Sequence, residues 1–209
     1  MFQLLSPNML KTFEECPRKF NFKYVQNIQM PVNDEIFEFG KNIHALASYY
    51  LRGENIDKME KSLTNKEFEV WTYLKSNKYF SYDVVNTEYN LAVKIEKYFF
   101  GGRLDALVKN GNDYYILDYK TGSAPKNAKY DYQTMIYMLA VKEFFKTTNI
   151  SFVYLDLKHK EEIVIPFNQP IELEKEYRQK LFEIIKKINA NDICQKKQNC
   201  KCEYSIICF

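Results

Sequence analysis

Two acids and a lysine stand where their neighbours do not invite charge. Asp105 interrupts the apolar run of Leu104, Ala106, Leu107 and Val108, and Asp118 follows Tyr115, Ile116 and Leu117, so both carboxylates fall in segments that read as buried strand. A lone buried carboxylate is costly unless a cation or hydrogen-bond donor compensates it. Lys120 is one such compensator: at the strand period of two it projects from the same face as Asp118, while Tyr119 turns the other way into packing. An acid on one strand and an acid-x-lysine on the next, sharing a face, describe a divalent-cation site with an ammonium at its edge. Hard carboxylate oxygens favour Mg²⁺ or Mn²⁺.

The elements that must position these residues can be read around them. Phe100 to Lys120 spells a β-hairpin whose turn contains Asn110-Gly111-Asn112. A strand-rich stretch from Ser81 to Val93 leads into it and carries Glu88, either a further acid of the site or a solvated strand residue. Upstream, Pro31 to Asn33 read as a loop, and Asp34 to about Leu51 as a helix holding Phe39-Gly40-Lys41-Asn42-Ile43-His44. A histidine between Ile43 and Ala45-Leu46 is, by itself, ordinarily a hydrogen-bonded core residue. After Lys120 the loop Thr121-Gly122-Ser123-Ala124-Pro125, with Lys126 and Lys129, could hold phosphates through backbone N–H groups and ammonium groups; solvated loop lysines are the plain alternative. A helix from about Tyr130 to Lys146 then puts Gln133 and Tyr137 on one face, four residues apart.

The remaining segments frame the site. Ser6 and Pro7 mark a helix start, Pro17 interrupts it, and the helical pattern resumes with Arg18-Lys19-Phe20. About Ile56 to Lys75 reads as a helical wall around Trp71. Ile150 to Asp156 and Glu161 to Pro166 read as strands, and Glu172 to Ile188 as an amphipathic helix.

In this order, the Leu-Ser-Pro and Phe-Glu-Glu-Cys-Pro-Arg-Lys-Phe start, the glycine and histidine at Gly40 and His44, Asp105, Asp118-Tyr119-Lys120 and Gln133-x-x-x-Tyr137 resemble the PD-(D/E)xK nuclease superfamily. The flanking motifs are similar to its RecB-like branch, which includes the RecB and AddB nuclease domains and small iron-sulfur exonucleases associated with CRISPR adaptation. The resemblance spans nearly the whole chain and implies a single α/β domain over 1–209. Its expected fold is a restriction-endonuclease-like three-layer sandwich with a mixed central sheet, N-terminal helices and a C-terminal cysteine cluster. The resemblance implies that Asp105, Asp118 and Lys120 are catalytic. It makes His44, Asp105, Asp118 and the Tyr119 backbone carbonyl ligands of Mg²⁺ or Mn²⁺, with Gln133 and Tyr137 on the substrate; Lys126 of the loop, read above as a phosphate contact, is the further substrate-binding candidate.

Four of the five cysteines crowd the end of the chain: Cys194, Cys200, Cys202 and Cys208. In the resembled branch three tail cysteines and one near the N-terminus hold a [4Fe-4S] cluster, implying Cys16, Cys200, Cys202 and Cys208 here. Only Lys201 separates Cys200 from Cys202, where the branch has two residues, so Cys194 stays open as a substitute. A Cys₄ zinc site is the competing reading.

The bulk figures constrain little. A chain of 209 residues with 46% hydrophobic content is ordinary for a globular protein, and a formal charge of +3 means that any basic surface must be local. The start lacks the charged region and long apolar core of a signal peptide, and no apolar run spans a bilayer; a cytoplasmic protein without membrane partners is expected, its cysteines reduced. The implied activity is metal-dependent hydrolysis of DNA, as an exonuclease on single strands or duplex ends in CRISPR adaptation, an antiviral defence, or in recombination and repair. The alternative is a DNA-binding or scaffolding subunit active only with a helicase or integration-complex partner.

Overall fold

The computed structural model describes residues 4–31, 34–190 and 202–208, with the backbone alone for 34–37. A two-residue strand, β1 (Leu4–Leu5), precedes helices α1 (Pro7–Glu15) and α2 (Pro17–Phe20), the latter continuing as a π-helical turn (Asn21–Val25). Helices α3 (Asp34–Leu51), α4 (Asp57–Ser62) and α5 (Asn65–Lys75) follow. Then come strands β2 (Asp83–Ile95), β3 (Tyr98–Asn110) and β4 (Asp113–Lys120), helix α6 (Tyr132–Phe145), strands β5 (Ile150–Asp156) and β6 (Glu161–Pro166), and helix α7 (Pro170–Asn189).

Local chemistry sets several boundaries. Ser6 Oγ accepts the Met9 N–H, and Pro7 occupies the start of α1. Cys16 is extended (φ −163°), as a residue before proline prefers, so α1 stops and Pro17 opens a new helix. The stretch expected as one helix between 56 and 75 is two. Thr64 and Glu67 form a reciprocal capping box that starts α5 afresh, satisfying N–H groups a continuous helix would bond internally. Gly111 at the hairpin turn has φ +59°, a region open to glycine without steric cost.

The strands form a six-stranded mixed sheet in the order β1-β3-β4-β5-β6, with β2 also paired to β3. β2 runs antiparallel along β3 from Ile95↔Tyr98 to Asp83↔Lys109, so it fills one edge of that strand. The other edge is shared: β1 pairs in parallel at Phe99 and Phe100, and β4 pairs antiparallel from Ala106↔Leu117 to Asn110↔Asp113. Between them, residues 101–105 have no strand neighbour on that side among the described residues. This window in the sheet is where the site forms.

Alternation along the strands feeds two cores. Leu107, Ile116 and Phe152 face α1, α6 and α7, whereas Ala106, Leu117, Tyr119 and Val153 face α3 and α5. The layers are helices, sheet, helices. α6, the crossover between the parallel strands β4 and β5, is buried from Met135 through Val141, consistent with its apolar character all round.

Candidate active site

The window in β3 leaves backbone groups without ladder partners, and side chains supply them. The Tyr119 N–H donates to Asp105 Oδ2 at 2.8 Å, so the carboxylate replaces the strand that would otherwise continue beside β4. The Arg103 carbonyl accepts the Tyr137 hydroxyl at 3.1 Å from α6. Gly102 permits that approach, because a Cβ there would lie 2.9 Å from the Tyr137 oxygen.

His44 reaches the same window from α3. Its Nδ1 lies 3.2 Å from Asp105 Oδ1 and its Nε2 2.9 Å from the Tyr119 carbonyl oxygen. Burial disfavours charge on this imidazole, but hydrogen bonding to Asp105, its charge and that of Asp118 outweigh burial and raise the His44 pKa. The nitrogen of His44 and carboxylate oxygens of Asp105 and Glu88 approach within 4.8 Å of one another, a grouping suited to a metal ion. Glu88 is the residue that sequence reasoning left undecided. It is brought in by a backbone at φ +50°, unusual for a non-glycine residue, and is also held by Arg103, Oε2 to Nε 2.7 Å. No local periodicity announces such a kink.

Asp118 and Lys120 occupy the adjoining position on β4. Lys120 Nζ lies 2.7 Å from Asp118 Oδ2 and donates to Gln133 Oε1 at 2.8 Å, while Gln133 Nε2 donates to Asp118 Oδ1 at 2.8 Å. Gln133 is fixed in turn by the first turn of α6, whose N-cap Asp131 accepts the Gln133 N–H and pairs with Lys11 of α1. Burial pushes the Asp118 pKa up, against the pull of Lys120 and with the help of Asp105. Asp118 Oδ2 is buried with the ion-pair contact but no hydrogen bond of proper geometry among the described residues.

The expected site residues thus fall into groups. His44, Asp105 and the Tyr119 carbonyl meet directly, and Asp118 with Lys120 lies within electrostatic reach of them. Gln133 and Tyr137 spend their polar groups on Asp118, Lys120 and the Arg103 backbone. They hold the framework of the site. Lys126 is exposed in the loop after β4 and is not among the cleft-lining residues. The cleft in front of the site, about 840 Å³, is lined by His44, Glu88 and Asp105 together with Lys41, Arg52 and Arg103. The His44 imidazole, the Asp105 and Glu88 carboxylates and the Tyr119 carbonyl beside them are a mixed donor set that suits a divalent cation.

At the far end of the chain, residues 202–208 dock on the N-terminal segment. Phe22, Tyr204 and Cys208 form a small core joined by Ile28, Met30 and Cys202. The Tyr204 hydroxyl donates to the Ile28 carbonyl at 2.8 Å, and Lys19 of α2 pairs with Glu203 at 3.4 Å. Cys16, buried at the start of α2, therefore lies on the element that the tail grips. Cys194 and Cys200 are outside the described residues.

The mixed sheet between helical layers and a candidate cation site where its strands part define an α/β fold of the restriction-endonuclease-like nuclease class. The chain belongs to the PD-(D/E)XK nuclease superfamily, whose family model matches residues 4–82 and 56–209. Among solved structures, a presumed exonuclease from Eubacterium rectale has the same fold, with a TM-score of 0.60 over 96% of this chain and 86% of that one at 12% identity. A structure named SSO0001 aligns over 100% of this chain and 86% of that one at 17% identity, with a TM-score of 0.45. No curated protein is significantly similar in sequence. Nucleases of this superfamily use divalent metals, and among the described residues no helix is long and apolar enough to cross a membrane.

Proposed function

We propose that this protein is a Mg²⁺- or Mn²⁺-dependent deoxyribonuclease of the RecB-like branch, acting as an exonuclease on single strands or duplex ends. The observation that carries the reading is the meeting of His44, Glu88 and Asp105 beside the buried Asp118–Lys120 pair at the window in the sheet. His44, Asp105, Asp118 and the Tyr119 carbonyl would hold the ion, with Glu88 as a further carboxylate. A cation there supplies Lewis-acid polarisation of the scissile phosphate and a water of lowered pKa.

The chain's own groups do the positioning. Asp105 is anchored by the Tyr119 N–H and turned toward His44, which keeps the acid at the mouth of the cleft. Lys120, steadied by Gln133 and Asp118, presents an ammonium where charge builds on the phosphate oxygens as water adds and the bond to the departing sugar oxygen breaks. Arg103 and Lys41 add positive charge to the same cleft.

The test is incubation of purified protein with labelled single-stranded and duplex DNA in Mn²⁺, in Mg²⁺ and in EDTA. Cleavage that needs the cation and disappears in Asp118→Ala and Lys120→Ala, with unchanged circular dichroism, is the expected result. No cleavage by wild type, or wild-type rates in both variants, would overturn the reading.

The same resemblance assigns a [4Fe-4S] cluster to Cys16, Cys200, Cys202 and Cys208, with Cys194 the substitute, in one domain over 1–209. The docking of 202–208 against α2 supports a tether between the chain ends, and cluster binding would add to folding free energy. A visible absorption band with stoichiometric iron in anaerobically purified protein tests it; zinc without iron would refute it. The setting that fits is cytoplasmic DNA processing, in CRISPR adaptation or in recombination and repair beside a helicase or integration complex.

A further inference from the structure

The first cleft is not the only one that reaches the loop after β4. Beyond it lies a second, of about 700 Å³, lined among others by Phe39, Lys66, Thr121, Gly122, Lys158 and Lys160. Thr121, the residue directly after Lys120, lines both clefts. α3 contributes to both as well, Gly40 to the first and Phe39 to the second. A Cβ on Gly40 would stand 3.3 Å from Thr121 Oγ1, so helix and loop already touch there and the missing side chain keeps the contact low. The two clefts thus adjoin, with a sill at Gly40 and Thr121 between them.

We propose that the second cleft carries the phosphate backbone of a single DNA strand whose scissile bond lies in the first. This rests on the nuclease reading of the first cleft and assigns the path of its substrate. The charges are placed for it: three lysines face one glutamate, Glu69, which is already paired with Lys160 at 2.6 Å. Lys66 and Lys158 are exposed, and Lys66 lies over the Phe39 ring at 5.1 Å, which holds its ammonium at the cleft wall. In a chain whose formal charge is only +3, Lys41 in the first cleft with Lys66 and Lys158 in the second are a local cationic feature, the kind that tracks a polyanion. Clefts of this size hold ligands of about drug-like dimensions, which is a nucleotide or two of one strand and not a two-stranded rod.

The experiment measures fluorescence anisotropy of labelled oligothymidylates of about 2 nucleotides, which fit within the first cleft, and about 20 nucleotides in EDTA, with cleavage of the shorter one in Mn²⁺ measured separately. Wild type is compared with Lys66→Gln/Lys158→Gln, and with Lys175→Gln/Lys187→Gln on α7 as the charge control. The cleft variant is expected to bind the longer strand about tenfold more weakly, with a salt slope shallower by about 1.4, or about 0.7 per lost phosphate contact. Its binding and cleavage of the short strand stay as in wild type. Equal affinity and slope for the long strand, or an equal loss in the α7 variant, would overturn the proposal. If wild type cleaves nothing while the long-strand loss is confined to the cleft variant, the path stands and the nuclease reading falls.

Discussion

Glu88 and Arg103 form a diagonal ion pair between β2 and β3, Oε2 to Nε 2.7 Å, with the glutamate held in a left-handed backbone conformation at φ +50°. The register skips this position, Thr87 pairing with Ala106 and Tyr89 with Leu104, so the kink turns Glu88 out of the ladder toward Asp105 and His44. Left-handed backbone costs a side-chain-bearing residue about 1 kcal/mol, strain of the sort that collects at functional sites.

Glu88→Gly should therefore separate stability from cation binding. We expect thermal stability equal to wild type or higher by about 1 kcal/mol, and Mn²⁺ affinity by calorimetry lowered about tenfold. Unchanged Mn²⁺ affinity would remove Glu88 from the cation's surroundings.

Gly102→Ala should cost about 1–3 kcal/mol, because the new Cβ would meet the Tyr137 hydroxyl oxygen at 2.9 Å. The nearest atom is a hydroxyl, so adding Tyr137→Phe should recover part of that loss despite forfeiting the hydrogen bond to Arg103, itself worth about 1 kcal/mol. Strictly additive urea-denaturation energies in the double variant would contradict a direct clash.

Tyr119→Phe should leave stability unchanged or raise it by about 1 kcal/mol, since the buried Tyr119 hydroxyl has no hydrogen-bond partner among the described residues. Burial raises the pKa of that phenol, with Asp105 and Asp118 adding to the effect. A loss above about 1 kcal/mol would show that the hydroxyl is satisfied after all.

Asp156 links pH to the loop that follows Lys120. Its carboxylate accepts N–H groups from Ala124 and His159, each at 2.9 Å, and the His159 ring nitrogen lies 3.0 Å from both oxygens. Burial alone would raise its pKa, but the hydrogen bonds from His159 and Ala124 outweigh it and hold the folded value below the usual range. A depressed folded pKa contributes stability that is present above the unfolded value of about 3.9 and is lost as pH falls through the folded value. Asp156→Asn should be less stable at pH 7 and lose less on acidification below about pH 4, read by thermal melts across pH. Parallel melting curves for the two proteins would refute this.

The hairpin that carries the acids was legible because its signals are local. The run of apolar residues broken by Asp105 and Asp118, the Asn110-Gly111 turn and the period-two link between Asp118 and Lys120 all lie within one hairpin. The capping box at Thr64 and Glu67 was equally local, and it explains why one expected helix became two. Gln133 and Tyr137 were placed on the correct face, yet their partners proved to be Asp118, Lys120 and the Arg103 carbonyl. A sequence shows which face a side chain takes, not what already fills its hydrogen-bonding capacity.

By itself the sequence marked most of the strands and helices, the hairpin that carries Asp105 and Asp118, and the family to which the chain belongs. Only tertiary structure decided that β1 and β4 leave a window on β3, that Asp105 fills it, and that His44 reaches Tyr119 from 75 residues away. It also decided the kink that delivers Glu88 and the second cleft beyond Gly40. Periodicity and capping act over a few residues and can be read along the chain. Unpaired backbone groups and converging charges exist only once distant segments pack, and the chemistry resides there.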